Sequence, residues 1–384
     1  MRAVTLNVWA LPEPLARHVP ERMRAIGERL AELPADVVAL QEVWTAEARG
    51  ILLDGARRAG FPHVWHQRAT LGGSGMLLLS RFPIESARFE RFCLPWVPPR
   101  IDHPDYYGGK GVVTARLATP DGALAVVATH LHARYRSDVS HQYRAYRVGQ
   151  IIELAAALRS LDVPTVLLGD FNFSDSDPEH RILSTLARVR DSAAEIGQPV
   201  PTVHRENAYR GARGAEKRID YVFVRDGSRS GLEAREVRRV FDDAIEIDGR
   251  PASHSDHAGL MAELALTGSP GAPHPADREA CDLAAHLLEQ GRRRAYRRQH
   301  ADRLAAGLGW GGALLACAGA RDPRLTRRRL LRGAVQAAGI AALTPGVTYT
   351  LLSEVFAPGE VRVFDQLSAR LRDVSADRFS GSAA

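Results

Sequence analysis

Residues 124–133 read LAVVATHLHA, a short apolar run that ends in two histidines. An apolar run of this length that is rich in β-branched residues predicts a buried strand. The same pattern recurs at residues 165–172, TVLLGDFN, where Asp170 and Asn172 follow the apolar run. Polar side chains at the ends of buried strands can project towards one point, so the two stretches predict a sheet that carries a site at one edge.

Strands of this kind alternate with amphipathic helices over residues 1–265. The apolar residues from Met23 to Leu33 recur at the spacing of one helix face, and residues 140–161 predict a longer helix. Many strands with few helices between them predict an α/β fold in which two mixed β-sheets pack together and helices flank them. The predicted strands are Ala3–Val8, Asp36–Leu40, Gly75–Ser80, Val112–Leu117, Leu124–Thr129, Thr165–Gly169, Ile219–Val224 and Leu260–Leu264.

The net charge of +6 arises from the last third of the chain. Residues 1–265 hold 34 basic and 34 acidic side chains, whereas residues 266–384 hold 17 and 11. Within residues 292–332, twelve arginines accompany two aspartates. Because nucleases bind through basic side chains that neutralise phosphates, the balanced charge of residues 1–265 argues against nucleic acid as a partner. The basic tail favours an anionic membrane surface instead.

Composition divides the chain into three parts. Residues 1–265 form the α/β domain, and residues 266–291 are predicted to be a linker because they contain the Gly- and Pro-rich stretch GSPGAPHPAD. Residues 292–384 form a basic, partly hydrophobic helical tail.

The tail contains two apolar segments, Leu304–Ala320 and Gly333–Leu352. A membrane-spanning helix needs about 20 apolar residues, and glycines interrupt both segments. A hairpin of two spans would carry the arginine-rich connector across the bilayer, against the positive-inside tendency. We therefore favour a pair of helices that lies on the membrane over two spans or a soluble helical subdomain. Since the N-terminal MRAVTLNVWA predicts a strand and not a signal peptide, we expect a cytoplasmic protein at the inner face of a membrane.

Six short polar motifs stand at predicted strand ends. Taken singly, each is typical of ordinary turn or surface residues. Together they supply carboxylates, amides and imidazoles without a thiolate, and oxygen ligands favour Mg²⁺ over zinc. This combination suits hydrolysis of a phosphate ester, in which a carboxylate or an imidazole takes a proton from water. The motifs are LNVW (6–9), LQEVW (40–44), THLHA (129–133), GDFN (169–172), RIDYVF (218–223) and SDH (255–257).

In this order the motifs resemble the endonuclease/exonuclease/phosphatase superfamily, which has the DNase I-like fold, over nearly all of residues 1–265. Within it the chain is most similar to the neutral sphingomyelinases. The resemblance implies a four-layer sandwich of two mixed β-sheets flanked by helices. It rests on GMLLLSRFPI (75–84), DYYGGKG (105–111), THLHARY (129–135), YRVGQIIELA (146–155), RIDYVF (218–223) and SDHAGLMAEL (255–264).

The resemblance implies a role for each polar residue. Glu42 would be the main Mg²⁺ ligand, with Asn7 beside it. His257 would be the general base that activates water, and Asp256 and Asp220 would fix its orientation and tautomer. A neutral imidazole is also the side chain best suited to accept a proton near pH 7.

The identity of the base is open, because Asp170 competes with His257 for that role. The resemblance places Asp170 near the nucleophilic water and Asn172 as a donor to a phosphoryl oxygen. His130 would stabilise the charge that develops on the phosphoryl group. His132 would project to the same face of the strand and contact substrate, or it would pack as a core histidine.

A long aromatic and proline-rich loop occupies residues 95–110, PWVPPRIDHPDYYGGK, and such loops are commonly functional. Asp105 and Lys110 match a pair in sphingomyelinase-like proteins, which implies that the lysine lies near the substrate phosphate and that its pairing with the aspartate acts as a switch. The alternative is a solvated ion pair of little energetic weight. The aromatic side chains would contact the membrane interface, hold choline by cation–π contact, or simply pack the loop. They are Trp96, Tyr106 and Tyr107.

The chain departs from the family pattern at Tyr146, where the HRV of the family reads YRV. The segment after THLHA is also offset by one residue. Because Tyr146 lies on a predicted helix, the change leaves the catalytic residues intact and puts local substrate contacts in doubt.

The sequence therefore predicts a Mg²⁺-dependent phosphodiesterase, a hydrolase of the phospholipase C type. Its substrate would be sphingomyelin or a choline lysophospholipid, and its products phosphocholine and ceramide or another lipid alcohol. The alternative is a DNA endonuclease or exonuclease of the same superfamily, which predicts a basic groove on the catalytic half. An inositol-phosphate phosphatase and a catalytically silent membrane adaptor are weaker alternatives, and intact metal and base motifs oppose the adaptor.

Overall fold

A computed structural model describes residues 1–67, 75–94, 108–134, 143–210, 215–271, 277–322 and 329–380. The strands are β1 (Arg2–Ala10), β2 (Val37–Val43), β3 (His63–His66), β4 (Leu77–Ser80), β5 (Ile84–Arg91), β6 (Gly111–Thr119), β7 (Gly122–His130), β8 (Thr165–Asp170), β9 (Arg190–Asp191), β10 (Asp220–Arg225), β11 (Gly231–Val240), β12 (Ile245–Ile247), β13 (Arg250–Ala252) and β14 (Gly259–Thr267). The helices are α1 (Val19–Glu32), α2 (Ala46–Arg58), α3 (Arg144–Arg159), α4 (Pro178–Ala187), α5 (Ser192–Glu195), α6 (Arg278–Gly319), α7 (Arg329–Leu351) and α8 (Ala357–Ser380), with a π-helical segment at Leu352–Phe356.

Two six-stranded mixed sheets form the centre of the molecule. One has the strand order β11-β14-β1-β2-β4-β3 and the other β5-β6-β7-β8-β10-β9. Apolar side chains of both sheets, such as Ala39 and Val126, form the core between them. A second core lies under α1 and α2, and a third lies under α3 and α4. The predicted sandwich of two mixed sheets with flanking helices is confirmed.

All eight predicted strands are present. The strands that the sequence did not predict are short or lie at sheet edges. β5, for example, reads IESARFER and exposes most of its side chains, so it lacks the apolar run that marks a buried strand. The strands with the clearest sequence signal are therefore the central ones.

These central strands bring the predicted polar residues to one end of the sandwich. In one sheet β1 and β2 are parallel, and Asn7 pairs with Gln41, the neighbour of Glu42. In the other sheet β7 and β8 are parallel, with His130 opposite Asp170. Parallel strands end at the same edge of a sheet, and the two sheets pack face to face, so the four polar strand ends meet.

The predicted linker of 266–291 is shorter in the structure, because α6 begins at Arg278. The first half of α6 packs against α3 and α4, and α8 packs on α3 and α6. Side chains from both tail helices, among them Leu288 and Phe364, belong to the same buried cluster as Ile151 of α3. This part of the tail is therefore a component of the outer helical layer.

The second half of α6 and α7 form a helical hairpin beyond the sandwich, which we call the distal hairpin (residues 304–319 and 329–351). The helices approach most closely at glycines: a methyl group on Gly309 would lie 2.4 Å from the backbone nitrogen of Gly346. Trp310 Nε1 donates to Thr350 Oγ1 at 3.0 Å. Among the described residues, one helical run, Leu330–Ala376, is long and apolar enough to cross a bilayer, and it overlaps the second predicted apolar segment only.

Candidate active site

Asn7, Glu42 and Asp170 form the centre of the polar cluster. Asn7 Nδ2 donates to Glu42 Oε1 and to Asp170 Oδ2, each at 3.0 Å. Asn7 Oδ1 accepts the backbone N–H of Trp9 at 3.0 Å, so the residue meets the two carboxylates with its NH₂ group. The structure therefore brings together residues that stand up to 163 positions apart in the chain.

His130 approaches the same two carboxylate oxygens as Asn7, and Lys110 contacts His130. Lys110 Nζ is 2.6 Å from His130 Nε2, and His130 Nε2 is 3.3 Å from Asp170 Oδ2 and 3.8 Å from Glu42 Oε1. Lys110 and His130 are both buried. An ammonium beside an imidazole supplies donors and positive charge, which is what an anionic phosphoryl group needs.

His257 is held by Asp220 on the other flank of Asp170. His257 Nδ1 is 2.9 Å from Asp220 Oδ2, which also accepts a hydrogen bond from Thr202 Oγ1 at 2.5 Å. With its proton on Nδ1, the ring presents Nε2 as the acceptor. Burial alone disfavours the imidazolium, but the carboxylates of Asp220 and Asp256 raise the pKa of His257 to about 10.

The two buried aspartates shift in opposite directions. Burial opposes ionisation of Asp170, but hydrogen bonding and charge from His130, with His257 and Lys110, lower its pKa below the usual value. Burial and the nearby charge of Asp170 raise the pKa of Asp220. Opposed shifts of neighbouring carboxyl groups are typical of active sites.

Backbone strain also concentrates at this cluster. Trp9, Glu42 and Asn172 adopt positive φ angles of 48°, 62° and 54°, which residues with a Cβ rarely adopt. Gly169, next to Asp170, has φ of 151°, and a methyl group there would lie 1.9 Å from the carbonyl oxygen of Thr129. The close approach of β8 to β7 that pairs Asp170 with His130 thus requires glycine.

Three predicted residues have surroundings that bear on their roles. Asn172 donates its backbone N–H to Asp170 Oδ1 at 3.0 Å, and its side chain donates to the carbonyl of Leu131 at 3.1 Å. Asp256 does not contact the His257 ring by hydrogen bond; its Oδ2 accepts from Arg210 at 3.1 Å. Asp220 is therefore the carboxylate that orients the imidazole.

For His132 the sequence left two alternatives, contact with substrate or packing in the core. In the structure its ring packs against aromatic residues at the start of α3. It is fully buried, and its ring stacks on Tyr143 with 4.9 Å between the ring centres. Tyr146 lies against it at 5.7 Å. These contacts with the start of α3 favour the core role. Asp105, Trp96, Tyr106 and Tyr107 lie outside the described residues.

The site also contains residues that sequence reasoning missed. Arg210 Nη2 lies 3.5 Å from His257 Nε2, and Ser255 Oγ donates to the backbone oxygen of Asn7 at 2.6 Å. Trp44 packs between two glycines, Gly75 and Gly108. Ser255 lies inside the SDH motif and Trp44 inside LQEVW, so a sequence motif marked both positions. Arg210 lies in a loop that contains none of the six motifs.

The donor set fits a divalent cation. Oxygens of Glu42 and Asp170 converge on one atom of Asn7, and carboxylates brought this close repel each other unless positive charge lies between them. In the described part of the chain, the buried Oδ1 of Asp220 has no hydrogen-bond partner. Ligand atoms of Asp170, Asp220 and His257 also lie within 4.8 Å of one another. Asp170 belongs to both possible cation sites.

Residues 4–257 match the model of the endonuclease/exonuclease/phosphatase family. The chain belongs to this family. A Drosophila melanogaster protein assigned as a neutral sphingomyelinase is 31% identical over 275 residues, which cover 69% of this chain and 61% of that protein. The inositol phosphosphingolipids phospholipase C of Schizosaccharomyces pombe is 27% identical over 308 residues, covering 70% and 69%. The chain thus spans less than two thirds of the fly protein.

Solved structures share the fold at low sequence identity. Sphingomyelinase C from Streptomyces griseocarneus matches with a TM-score of 0.53 and 19% identity over 68% of this chain and 98% of that one. TDP2 from D. rerio, complexed with a single-strand DNA product, matches with the same TM-score and identity over 69% and 98%. These likenesses show the fold alone.

Proposed function

We propose that this protein is a Mg²⁺-dependent phosphodiesterase of the phospholipase C type that releases phosphocholine from sphingomyelin or a choline lysophospholipid. The observation that carries the proposal is the burial of Asp170 among Asn7, Glu42, His130 and Lys110, which combines a place for a cation with donors for a phosphoryl group. The names of the sequence relatives, which refer to phosphosphingolipid cleavage, supply the substrate class.

Glu42 and Asp170 would hold Mg²⁺, which when bound would screen the charge of the phosphodiester and acidify a water molecule. Asn7 would be a ligand only if its amide oxygen replaced the NH₂ group that now faces the carboxylates. Lys110 and His130 would donate to the phosphoryl oxygens, and Asn172 would hold Asp170 in place through its backbone N–H.

His257 is the general base in this proposal. Both oxygens of Asp170 already accept hydrogen bonds, from Asn172 and from Asn7, and its lowered pKa makes it a weak base. His257 Nε2 lies 3.5 Å from Arg210 Nη2 and is the ring nitrogen that would accept a proton from water, while Asp220 holds Nδ1. The carboxylates of Asp220 and Asp256 raise the pKa of His257 and so favour its protonated form, and positive charge entering the site would favour the neutral imidazole that can act as a base.

The distal hairpin would attach the enzyme to the inner face of a membrane. Leu304, Leu308, Leu315 and Ile340 are 72%, 79%, 76% and 68% exposed, and exposed apolar surface of this kind marks an interaction site. The tail would attract anionic lipid less strongly than the number of its arginines suggests, because several of these arginines pair with carboxylates of the tail. The pairs are Arg292 and Arg293 with Glu289, Arg298 with Glu360, and Arg303 with Glu354.

One assay tests the activity. Purified full-length protein with Mg²⁺ or EDTA is offered sphingomyelin vesicles, lysophosphatidylcholine, inositol phosphosphingolipid vesicles and abasic-site DNA in parallel. We expect Mg²⁺-dependent release of phosphocholine that His257→Ala abolishes and His63→Ala, on edge strand β3, leaves unchanged. Release of inositol phosphate alone would assign a different headgroup, and cleavage of DNA alone would overturn the lipid assignment.

A second experiment tests the membrane role of the distal hairpin and leaves in place the first half of α6 and α8, which pack on α3. The fourfold variant Leu304→Ser, Leu308→Ser, Leu315→Ser and Ile340→Ser should lose flotation with phosphatidylcholine and phosphatidylserine vesicles and keep turnover of a soluble phosphocholine ester. A matched variant, Val64→Thr with Leu266→Ser, replaces exposed apolar residues of the sandwich and should float like the wild type. Equal flotation of all three proteins would exclude the hairpin as the anchor.

A further inference from the structure

Helix α3 carries a buried polar face that contacts two backbone segments next to the active site. Arg147, Gln150 and Glu153 are spaced by three residues and therefore lie on one side of the helix. Gln150 is fully buried and accepts the N–H of His132 through Oε1 at 2.9 Å. Its Nε2 donates to the carbonyl of Leu94, also at 2.9 Å. One side chain thus joins the segment after β5 to the segment after β7.

The position of these contacts explains why a side chain is needed. The backbone ladders join Arg91 of β5 to Gly111 of β6 and Val112 of β6 to Thr129 of β7. Beyond these pairs the ladder between β5 and β6 continues only with the bond from Phe92 to Lys110, and the buried backbone groups that follow require other partners. An amide both donates and accepts, whereas a carboxylate only accepts and an ammonium only donates, so Gln satisfies Leu94 and His132 together.

One of the two segments held by Gln150 leads along the chain to His130, and the other is hydrogen-bonded to Lys110. Leu94 is two residues beyond Phe92, whose N–H donates to the carbonyl of Lys110 at 3.1 Å. His132 is two residues beyond His130. Gln150 therefore contacts the His130 piece of chain directly and the Lys110 piece only indirectly, through Leu94 and Phe92. The two side chains meet where Lys110 Nζ lies 2.6 Å from His130 Nε2.

The neighbours of Gln150 on α3 hold the same two segments. Arg147 Nη1 donates to the carbonyl of His132 at 3.3 Å and is anchored by Glu179 in a fully buried ion pair at 2.9 Å. Glu153 accepts the N–H of Cys93 at 3.1 Å. These contacts restrain each segment separately, whereas Gln150 contacts both.

We propose that Gln150 is a positioning residue for phosphodiester cleavage. Its amide fixes the segment after β5, which is bonded to Lys110 through Phe92, relative to the His130 segment, so that both side chains reach one phosphoryl group. The inference rests on the proposed function in that it concerns the same reaction. It assigns to α3, which carries no residue that touches substrate, the task of setting the geometry of the phosphate donors.

The test compares Gln150→Met, which keeps the side-chain length and removes both hydrogen bonds, with Gln299→Met. Gln299 is a buried glutamine of α6 whose Nε2 donates to Ser353 at 2.9 Å, remote from the active site. With a soluble chromogenic phosphocholine ester, assayed well below the unfolding temperature of each protein, Gln150→Met should lower kcat about 10- to 100-fold and change KM less. Gln299→Met should lose thermal stability and keep kcat.

A double-mutant cycle separates positioning from general loosening of the core. If Gln150 acts through Lys110, adding Gln150→Met to Lys110→Met should cost little further activity, whereas independent effects would multiply. Unchanged kcat in Gln150→Met, or multiplied losses in the double variant, would overturn the proposal. Should Gln150→Met fail to fold, Gln150→Glu, which keeps the acceptor for His132 but loses the donor to Leu94, must show the kcat loss; wild-type turnover in Gln150→Glu would overturn the proposal.

The wild-type protein distinguishes failure of this inference from failure of the proposed function. If the wild type does not cleave phosphocholine esters, the proposed substrate is wrong. The kcat values of the variants relative to the wild type are then measured with bis(p-nitrophenyl) phosphate. That ester requires only a phosphodiesterase site. A wild type active on either ester with an equally active Gln150→Met variant would contradict the inference alone.

Discussion

The strand-end site and the distal hairpin depart from the usual distribution of residues in opposite ways. The site buries Lys110, His130, Asp170 and Asp220, whereas the hairpin exposes leucines such as Leu308. In the site each buried charge has charged or polar neighbours within hydrogen-bonding distance. In the hairpin the exposed leucines have no comparable partner within the described residues.

Burying charged groups costs folding free energy, and leaving leucines exposed forgoes the stabilisation that their burial would give. Natural sequences tolerate such departures mainly where function requires them. The comparison also divides the tail into two parts. The part that packs on α3, which includes Leu288 and Phe364, buries its apolar residues as a protein core normally does. Tyr146 donates to Glu360 of α8 and packs against Phe364, so the residue that departs from the family pattern contacts the tail rather than the active site. The tail is thus a structural layer at one end and an exposed apolar surface at the other.

The largest effect is expected at the centre of the site. Asp170→Asn removes a charge that His130 and Lys110 neutralise, so kcat should fall by about 10³-fold. Asp226 is a matched control, because it pairs with Arg190 at 2.8 Å at a distance from the cluster. Steady-state kinetics should show that Asp226→Asn loses stability but keeps kcat. Comparable turnover in the two variants would contradict the placement of the site.

The docked part of the tail should behave as core. Phe364 is fully buried and Phe356 is 43% exposed, although both lie in the C-terminal helical run. Phe364→Ala should lower the free energy of unfolding by about 3–5 kcal/mol, because it leaves a cavity in the outer layer. Phe356→Ala should change it by no more than about 0.5 kcal/mol in urea titrations. Equal effects of the two substitutions would contradict the distinction between a packed and an exposed part of the tail.

A smaller effect is expected at Gly108, in the segment that leads to Lys110. A methyl group there would lie 2.3 Å from the ring of Trp44, which stands two residues after Glu42. Gly108→Ala should therefore shift the indole, change its fluorescence, and lower kcat by about tenfold through displaced phosphate donors. Gly50→Ala, with no atom within 4 Å of the new methyl group, should instead stabilise α2 by roughly 0.5–1 kcal/mol.

The smallest effect concerns pH in the metal-free protein. The folded pKa of His257 is about 10, above that of an unfolded histidine. The resulting stability is fully present below about pH 6.5 and is lost as the pH rises through the folded value. Unfolding free energies measured with EDTA from pH 6.5 to 10 should decline less steeply in Asp220→Asn than in the wild type. Identical slopes would show that Asp220 does not hold the proton on His257.

Much of the fold could be predicted because central strands are apolar throughout. All eight predicted strands exist, and the polar residues that follow β1, β2, β7 and β8 meet as expected. The edge strand β5 was missed, because half-exposed strands lack a distinct apolar pattern. The linker prediction extended too far, because it continued past GSPGAPHPAD into the first turns of α6, whose buried residues, such as Ala284 and Leu288, pack against the sandwich.

The sequence predicted that Asn7, Glu42, His130 and Asp170 would lie close together, but it did not predict how the carboxylates pair with their partners. The sequence assigned Asp256 and Asp220 together to His257, and the structure leaves Asp220 on the ring and directs Asp256 to Arg210. Which carboxylate reaches Nδ1 depends on the register of β8 and β10, where Asp220 lies opposite Asp170. Sequence spacing carries no information on that register.

The sequence by itself determined which side chains are available for chemistry, since side-chain type fixes which groups can hold a cation, donate to phosphate or accept a proton. It also determined the central strands, because burial demands apolar residues. Only the tertiary structure decided that Gln150 joins two site segments and that half of the tail belongs to the core. Such contacts depend on which elements pack together, and packing is set by the whole chain rather than by any local pattern.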